Sequence, residues 1–291
     1  MLFSMTGYGR AEQTINNKLF LAEVRSLNSK QFDVRMMLHP LLRPYEIEIR
    51  NMLAEGLQRG SIECNVSLRQ NGSSKAVSIN TDLLRAYYNA VKELAGDLQL
   101  NTDNILGTLL KLPDVVASSN DVLTDEEWAG FQKMMRECIE VLNTHRKKEG
   151  MVTEQDLLLR INNIEQQQAA IATLEPARRE KIMEGLKKVL EDNVGRENYD
   201  PNRLEQELIY YIEKIDISEE QVRLKNHCEY FRLVLKEPEI SKGKKLSFIL
   251  QEIGREINTT GSKAYDAAVQ KCVVLMKDEL EKAKEQVLNV L

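Results

Sequence analysis

The chain has 291 residues, 42% of them hydrophobic and 29% charged, with only 6 Pro and 14 Gly; that is length enough for two ordinary domains and a composition that excludes an intrinsically disordered protein. A net charge of −5 excludes a protein that coats nucleic acid by bulk attraction, although residues 1–72, with nine basic against seven acidic side chains, form a mildly basic part. No apolar run approaches the roughly 18 residues of a membrane helix, and MLFSMTGYGR lacks the basic segment and long apolar stretch of a signal peptide, so a cytoplasmic protein without a membrane partner is expected.

From Leu2 to about Gln70 the pattern is sheet-like. Phe20, Ala22 and Val24 alternate with other residues, as do Phe32, Val34, Met36 and Leu38, and then Ile62, Cys64, Val66 and Leu68. Between Pro44 and Leu57 the period lengthens to that of a helix stopping near Gly60. The order strand, strand, strand, helix, strand predicts an α+β layer. After the turn-like NGSSK (71–75) nearly everything reads as helix: 81–98, a short one near 102–111, 124–148, a long pair around Pro176, then 200–214, 215–237, 243–258 and 264–290. Residues 153–193, polar and rich in Ala and Gln, predict extended antiparallel helices projecting from a body. The expected fold class is therefore α+β: a small N-terminal sheet-plus-helix domain (1–155), long connecting helices (156–207) and a helical C-terminal domain (208–291). Cys64, Cys138, Cys228 and Cys272 are widely spaced with no CxxC, which signals reduced, buried thiols rather than a zinc ribbon or a disulfide framework.

The helix DISEEQVRLKNHCEYFRLVL (216–235) carries the most chemistry. At about 100° per residue, Asp216, Glu220, Arg223 and His227 fall on one stripe beside an apolar stripe of Ile217, Leu224, Cys228, Phe231 and Leu235. Carboxylate and imidazole on one helix face suit part of a divalent-metal site, completed by oxygens from another helix. Glu220 and His227 are about 10 Å apart along the helix, farther than the i, i+3 or i, i+4 pairs that usually share an ion. Two readings therefore stand: a metal site, or a network of surface ion pairs.

In GKKLSFILQEIGREINTTGSK (243–263), Leu246, Ile249, Leu250, Ile253 and Ile257 form the core face. The spacing puts Lys245, Glu252 and Glu256 on one flank and Lys244, Gln251 and Arg255 on the opposite edge. Like charges at i, i+4 repel by a few tenths of a kcal/mol unless a cation offsets them, so Glu252 and Glu256 suggest a metal or a basic neighbour. The following Asn258–Lys263 segment, with Gly261 and Lys263, suits either a phosphate cradle or a helix stop with Ser262 as the next N-cap. In the N-terminal half, SMTGYGR and EVRSLNSKQFDVR bring Tyr8, Arg10, Arg25, Asn28, Lys30 and Arg35, which suit phosphate contacts and base stacking or an ordinary charged hairpin. His39 closes a strand before Pro40, and His145 reads as a helix end. GxSxG, HExxH and GxGxxG are absent, so serine hydrolase, zincin and dinucleotide readings have no anchor.

The opening SMTGYGR, the EVRSLNSKQFDVR and LQRGSIE segments, LLKLPDVV, HRKKEG, DISEEQVRLKNH and KKLSFILQEIGREINTTGSK, in this order, resemble the YicC/YloC endoribonuclease family over essentially the whole chain. The resemblance implies an endoribonuclease that depends on a divalent cation, Mg²⁺ or Mn²⁺. It also implies a ring-like homo-hexamer that cuts single-stranded RNA, including small regulatory RNA, with other RNA-decay nucleases as further partners. By position it implies Glu220, Arg223, His227 and Glu252 as catalytic residues, and Glu219, Glu220, His227, Glu252 and Glu256 as metal ligands. Arg10, Glu23, Arg25 and Asn28 face the RNA on the same grounds, with Lys263 added from its own segment. Members often read Asn-His-Arg or Asn-His-Lys where this chain has Asn28-Ser29-Lys30, so a histidine role there does not transfer. Within the site, His227 is either a ligand or an acid/base, since an imidazole titrates near neutrality. The competing expectations are an RNA-binding adaptor that presents RNA to another nuclease, and a helical scaffold indifferent to RNA.

Overall fold

The computed structural model describes residues 1–29, 31–70, 78–98, 105–113, 115–117, 123–194 and 201–291. Four strands, β1 (Gly7–Ile15), β2 (Lys18–Leu27), β3 (Phe32–Leu38) and β4 (Gly60–Gln70), form one sheet in the order β1-β2-β4-β3. The β1–β2 hairpin turns on Asn16 and Asn17, both at positive φ (47° and 64°), the backbone that two-residue hairpin loops require and that Asn tolerates. Because β3 runs parallel to β4, the chain crosses over between them, through a 3₁₀ turn (Pro40–Tyr45) and α1 (Glu46–Leu57). His39 caps that turn, its Nδ1 accepting from the Leu41 N–H at 3.4 Å.

The inward-facing residues of the strands, among them Phe20, Val24, Ile62 and Val66, meet Ile49, Leu53 and Leu57 of α1 and Phe131, Met134, Cys138 and Leu142 of a second helix. One sheet face is thereby covered and the other is open. Beyond the sheet, α2 (Thr81–Asp97) and α3 (Ile105–Leu109) pack on each other beside a short ladder of β5 (Ser78–Ile79) and β6 (Val116–Ala117). The foreseen NGSSK turn and Lys30 lie outside the described residues.

The helix that covers the sheet, α4 (Asp125–Val194), is 70 residues long, about 105 Å at 1.5 Å per residue. Two expectations change here. The helices expected on either side of Pro176 are one uninterrupted helix, and His145 sits inside it rather than at an end. Proline in a helix interior costs roughly 3 kcal/mol. That cost is outweighed because buried Ile171 and Arg178 anchor the helix on both sides of Pro176. The same helix enters a second core through Leu157, Ile161, Ile164 and Ile171, so those residues pack as well as connect.

That second core is built from α4, α6 (Ser218–Lys236), α7 (Gly243–Ala264) and α8 (Ala267–Val287), with α5 (Pro201–Ile215) at its edge. Leu246, Leu250, Ile253 and Ile257 are fully buried on α7; each such side chain contributes about 1.5–3 kcal/mol on burial. The N-terminal tail, read from the sequence as the start of the sheet, joins this core instead. Leu2 is buried among the helices, the Met5 N–H donates to the Asn289 carbonyl (2.8 Å), and the Leu291 N–H donates to that of Phe3 (2.9 Å). A Cβ on Gly150 would lie 2.2 Å from the Leu2 carbonyl oxygen, so only glycine allows α4 to pass so close to the tail.

Candidate functional site

Helices α6 and α7 run antiparallel, and three side-chain contacts fix their register. Lys263 Nζ meets Glu220 Oε1 at 2.8 Å, Gln221 Nε2 donates to Thr260 Oγ1 at 3.2 Å, and Lys245 Nζ donates to Glu237 Oε1 at 2.8 Å. This register sets His227 about level with Glu256 along the pair. Of the stripe of Asp216, Glu220, Arg223 and His227, Glu220 and the Asp216 carbonyl meet Lys263 at the end of α7, whereas Asp216 precedes α6 and Arg223 is exposed.

The acids on that stripe differ sharply in environment. Glu220 is 5% exposed, and while its Oε1 takes the Lys263 ammonium, its Oε2 is buried without a hydrogen-bond partner. Glu256 is 4% exposed and has no hydrogen bond or ion pair among the described residues. Glu252 is instead half-exposed and lies 3.9 Å from Arg255, and Lys245 is taken by Glu237, so the flank of Lys245, Glu252 and Glu256 is divided. Glu219 points to solvent with Arg223, 2.5 Å away; an exposed pair of that kind is worth about 0–1 kcal/mol. His227 is half-buried with no hydrogen bond among the described residues.

Glu220 and Glu256 suit a hard divalent cation: both are buried carboxylates, and one oxygen of Glu220 is orphaned. Mg²⁺ is commonly held by only one or two protein carboxylates, with water and substrate phosphate supplying the rest. Among the described residues, no three His, Cys, Asp or Glu side chains gather into a ready-made site.

Around this stripe lies a set of buried polar contacts whose central member, Arg178, no sequence pattern marks. Its guanidinium, on α4, donates to the carbonyls of Ala264 (2.7 Å) and Lys263 (3.2 Å) at the end of α7, and to that of Ile215 (2.7 Å) at the end of α5. It satisfies carbonyls that helix ends leave open, with a charge of the sign that helix C-termini favour. Beside it, burial works against ionisation of Asp216. Hydrogen bonds from Ser218 and Arg179 outweigh that effect and hold its pKa below the usual carboxylate value.

The Asn258–Lys263 segment is neither a loop nor a phosphate cradle, because α7 continues to Ala264. Packing decides this: a Cβ on Gly261 would stand 3.0 Å from Val273 of α8, so the glycine serves a close helix contact. The helix stops at Tyr265, and Asp266, not Ser262, caps α8 by accepting from the Ala268 and Val269 N–H groups.

The N-terminal candidates fall in two places. Arg10, Glu23 and Arg25 lie on the open sheet face, where Tyr8 donates to Glu23 (3.0 Å) and Arg25 stands 5.8 Å from the Tyr8 ring centroid. That hydrogen bond to Glu23 is the main reason the Tyr8 pKa is raised. A cavity of about 370 Å³ on this face is lined by Arg25 and Arg35 but equally by Glu23 and Glu63, so its charges cancel. Asn28 sits elsewhere and donates to the Leu288 carbonyl at 2.8 Å, joining the two halves of the molecule. The cysteines are buried and unpaired, and burial pushes Cys64 and Cys228 up to about 12. Among the described residues, no helix is long and apolar enough to cross a membrane.

A sheet domain and a helical domain threaded by one helix, with buried Glu220 bridging α6 to Lys263 of α7, define a protein of the α+β class. The model described as "Endoribonuclease YicC-like, N-terminal region" matches residues 2–155 and "Endoribonuclease YicC-like, C-terminal" matches residues 167–291, so the chain belongs to the YicC-like endoribonuclease family. The chain is 30% identical over 299 aligned positions to the probable endoribonuclease YicC of Clostridioides difficile, all of both chains being covered. It is 28% identical over 297 positions to the probable endoribonuclease YicC of Haemophilus influenzae, again over the whole of both.

Proposed function

We propose that this chain is a cytoplasmic endoribonuclease that cuts single-stranded RNA, including small regulatory RNA, by metal-assisted phosphodiester hydrolysis. The observation that carries this reading is the match, along the whole chain, to relatives named as probable endoribonucleases. The buried, partnerless Oε2 of Glu220 and the burial of the Glu256 side chain support a Mg²⁺ or Mn²⁺ site between α6 and α7, with Glu252 and His227 on the same two helices. A divalent cation bound there supplies Lewis-acid polarisation of the phosphate and a more acidic water. His227, half-buried and free of other hydrogen bonds among the described residues, takes or returns the proton in hydrolysis. Arg223, on the exposed edge of α6, offsets charge that develops on the phosphate. Lys263 is less available for that role, being tied to Glu220 and to the Asp216 carbonyl.

Assembly into a hexameric ring is part of the proposal. It is supported by large apolar residues left in water on α5 (Ile209, Tyr210, Tyr211) and at the end of α2 (Leu94, Leu98). The second reading, an RNA-binding adaptor for another nuclease, draws on the lack of a three-donor cluster among the described residues. Labelled single-stranded RNA incubated with Mn²⁺ and wild-type, His227→Ala or Glu252→Gln protein separates the two. Loss of an acid/base group costs roughly 10²–10⁴-fold in rate. Equal cleavage by all three proteins would sink the site, and a wild type that binds RNA without cutting it would favour the adaptor.

A further inference from the structure

The sequence KGKKLSF opens α7 at the junction of the two domains, beside a cavity of about 470 Å³. Sites for small molecules and single residues of larger ligands span roughly 300–1,000 Å³. Arg59 lines it from the sheet domain, Met5 from the N-terminal tail, and Lys244, Ser247, Phe248 and Gln251 from α7. None of its described lining residues is acidic, in contrast to the sheet-face cavity, where two glutamates offset two arginines.

Three of these side chains are poised without a partner of their own. Lys244 is exposed and makes no ion pair among the described residues. Arg59 is held by its Nε, which donates to the Ser29 carbonyl at 3.1 Å, and among the described residues the two terminal nitrogens of its guanidinium have no partner. Phe248 presents its ring 56% exposed at the cavity mouth, although its neighbours on the inner face of α7 are fully buried. Two unpaired cations, an exposed aromatic ring and two neutral polar groups with no carboxylate match a phosphate beside a base.

We propose that this interdomain cleft holds one nucleotide of the RNA strand, its base stacked on Phe248 and its phosphate held by Arg59 and Lys244, with Ser247 and Gln251 facing the base edge. The inference rests on the reading of the chain as an RNA-cutting enzyme and adds where the strand enters. Glu252 follows Phe248 by four residues on α7, so the two are neighbours on one helix face, about 5–6 Å apart at Cβ. A nucleotide in the cleft therefore delivers the adjoining phosphodiester to the side of α7 that carries Glu252.

The test measures binding of a fluorescein-labelled oligouridylate by anisotropy in EDTA, so that binding is read apart from cleavage. Stacking of one base accounts for roughly 5- to 150-fold in affinity, so Phe248→Ala should weaken binding by that factor and Phe248→Trp should restore it. Lys244→Ala should weaken binding for all sequences and lower the slope of log affinity against log salt by about one. Phe248 lies outside the core, so circular dichroism and thermal melting of Phe248→Ala should match wild type. Unchanged affinity in both alanine variants overturns the proposal, as does a wild type that binds no RNA. A Phe248→Ala protein that changes oligomeric mass but not RNA affinity also overturns it, assigning the cleft to a protein contact. A wild type that binds through Phe248 but cuts nothing leaves the cleft standing and removes only the nuclease reading.

Discussion

The Glu220–Lys263 pair gives the sharpest test of the α6–α7 arrangement, because its members are unequally buried: the Glu220 side chain is 6% exposed and that of Lys263 31%. Lys263→Met strands a carboxylate, one of whose oxygens already lacks a partner, in a place water does not reach. Breaking a buried pair by removing one member costs roughly 3–5 kcal/mol, and the partial exposure of Lys263 puts the loss at the low end, about 3 kcal/mol. Glu220→Gln should cost only about 1 kcal/mol, since the amide oxygen still accepts from the ammonium, which also reaches water. It keeps its 3.1 Å bond to the Asp216 carbonyl as well. Urea unfolding of both variants at neutral pH in a chelating buffer, followed by far-UV circular dichroism, measures the order directly. A Glu220→Gln loss equal to or larger than that of Lys263→Met would refute the burial argument.

Two further outcomes follow from buried charge elsewhere. Arg146, 1% exposed, donates to the carbonyls of Leu57 and Arg59 and to Ser26 Oγ, and burial pulls its pKa down to about 10. Arg146→Met should lower stability by about 3 kcal/mol or more, as hydrogen bonds to a charged group contribute about 1.5–3 kcal/mol each, and calorimetric melting would expose a smaller loss. At Glu279 desolvation opposes ionisation, but donors from Asn163, Lys282 and Arg160 outweigh it and hold the pKa at about 2, below the ordinary 4.5. A depressed folded-state pKa gives stabilisation that is complete above about pH 4.5 and fades as pH falls toward 2. Glu279→Gln should therefore flatten the pH dependence of stability in that window, and an unchanged slope would contradict the assignment.

The strands were legible because one sheet face is buried and the other wet, so Phe20, Val24, Ile62 and Val66 stand out from their neighbours at period two. The apolar stripe of α6 was legible for the same reason at period 3.6, and Glu220 beside it does meet α7 through Lys263. What spacing could not give was the burial of individual acids. Glu252 and Glu256 read alike as an i, i+4 pair, yet one meets Arg255 in solvent and the other is buried, a difference made by packing between elements and not by spacing within one helix. Gly261 looked like a loop residue until Val273 of α8 supplied the reason for a missing side chain.

Local pattern by itself therefore determined the strand–helix–strand order of the sheet domain, the α+β class and which helices carry ionisable residues, since each depends on periodicity within a few turns of chain. Motif order determined the family. Tertiary structure alone decided that α4 runs unbroken through Pro176, that the N-terminal tail belongs to the helical core, and that Arg178 ties three helices together. It also decided that Arg59 and Phe248, 189 positions apart in sequence, line one cleft. Each of these depends on contacts between residues far apart in the chain, which outweigh local preference once the cores close.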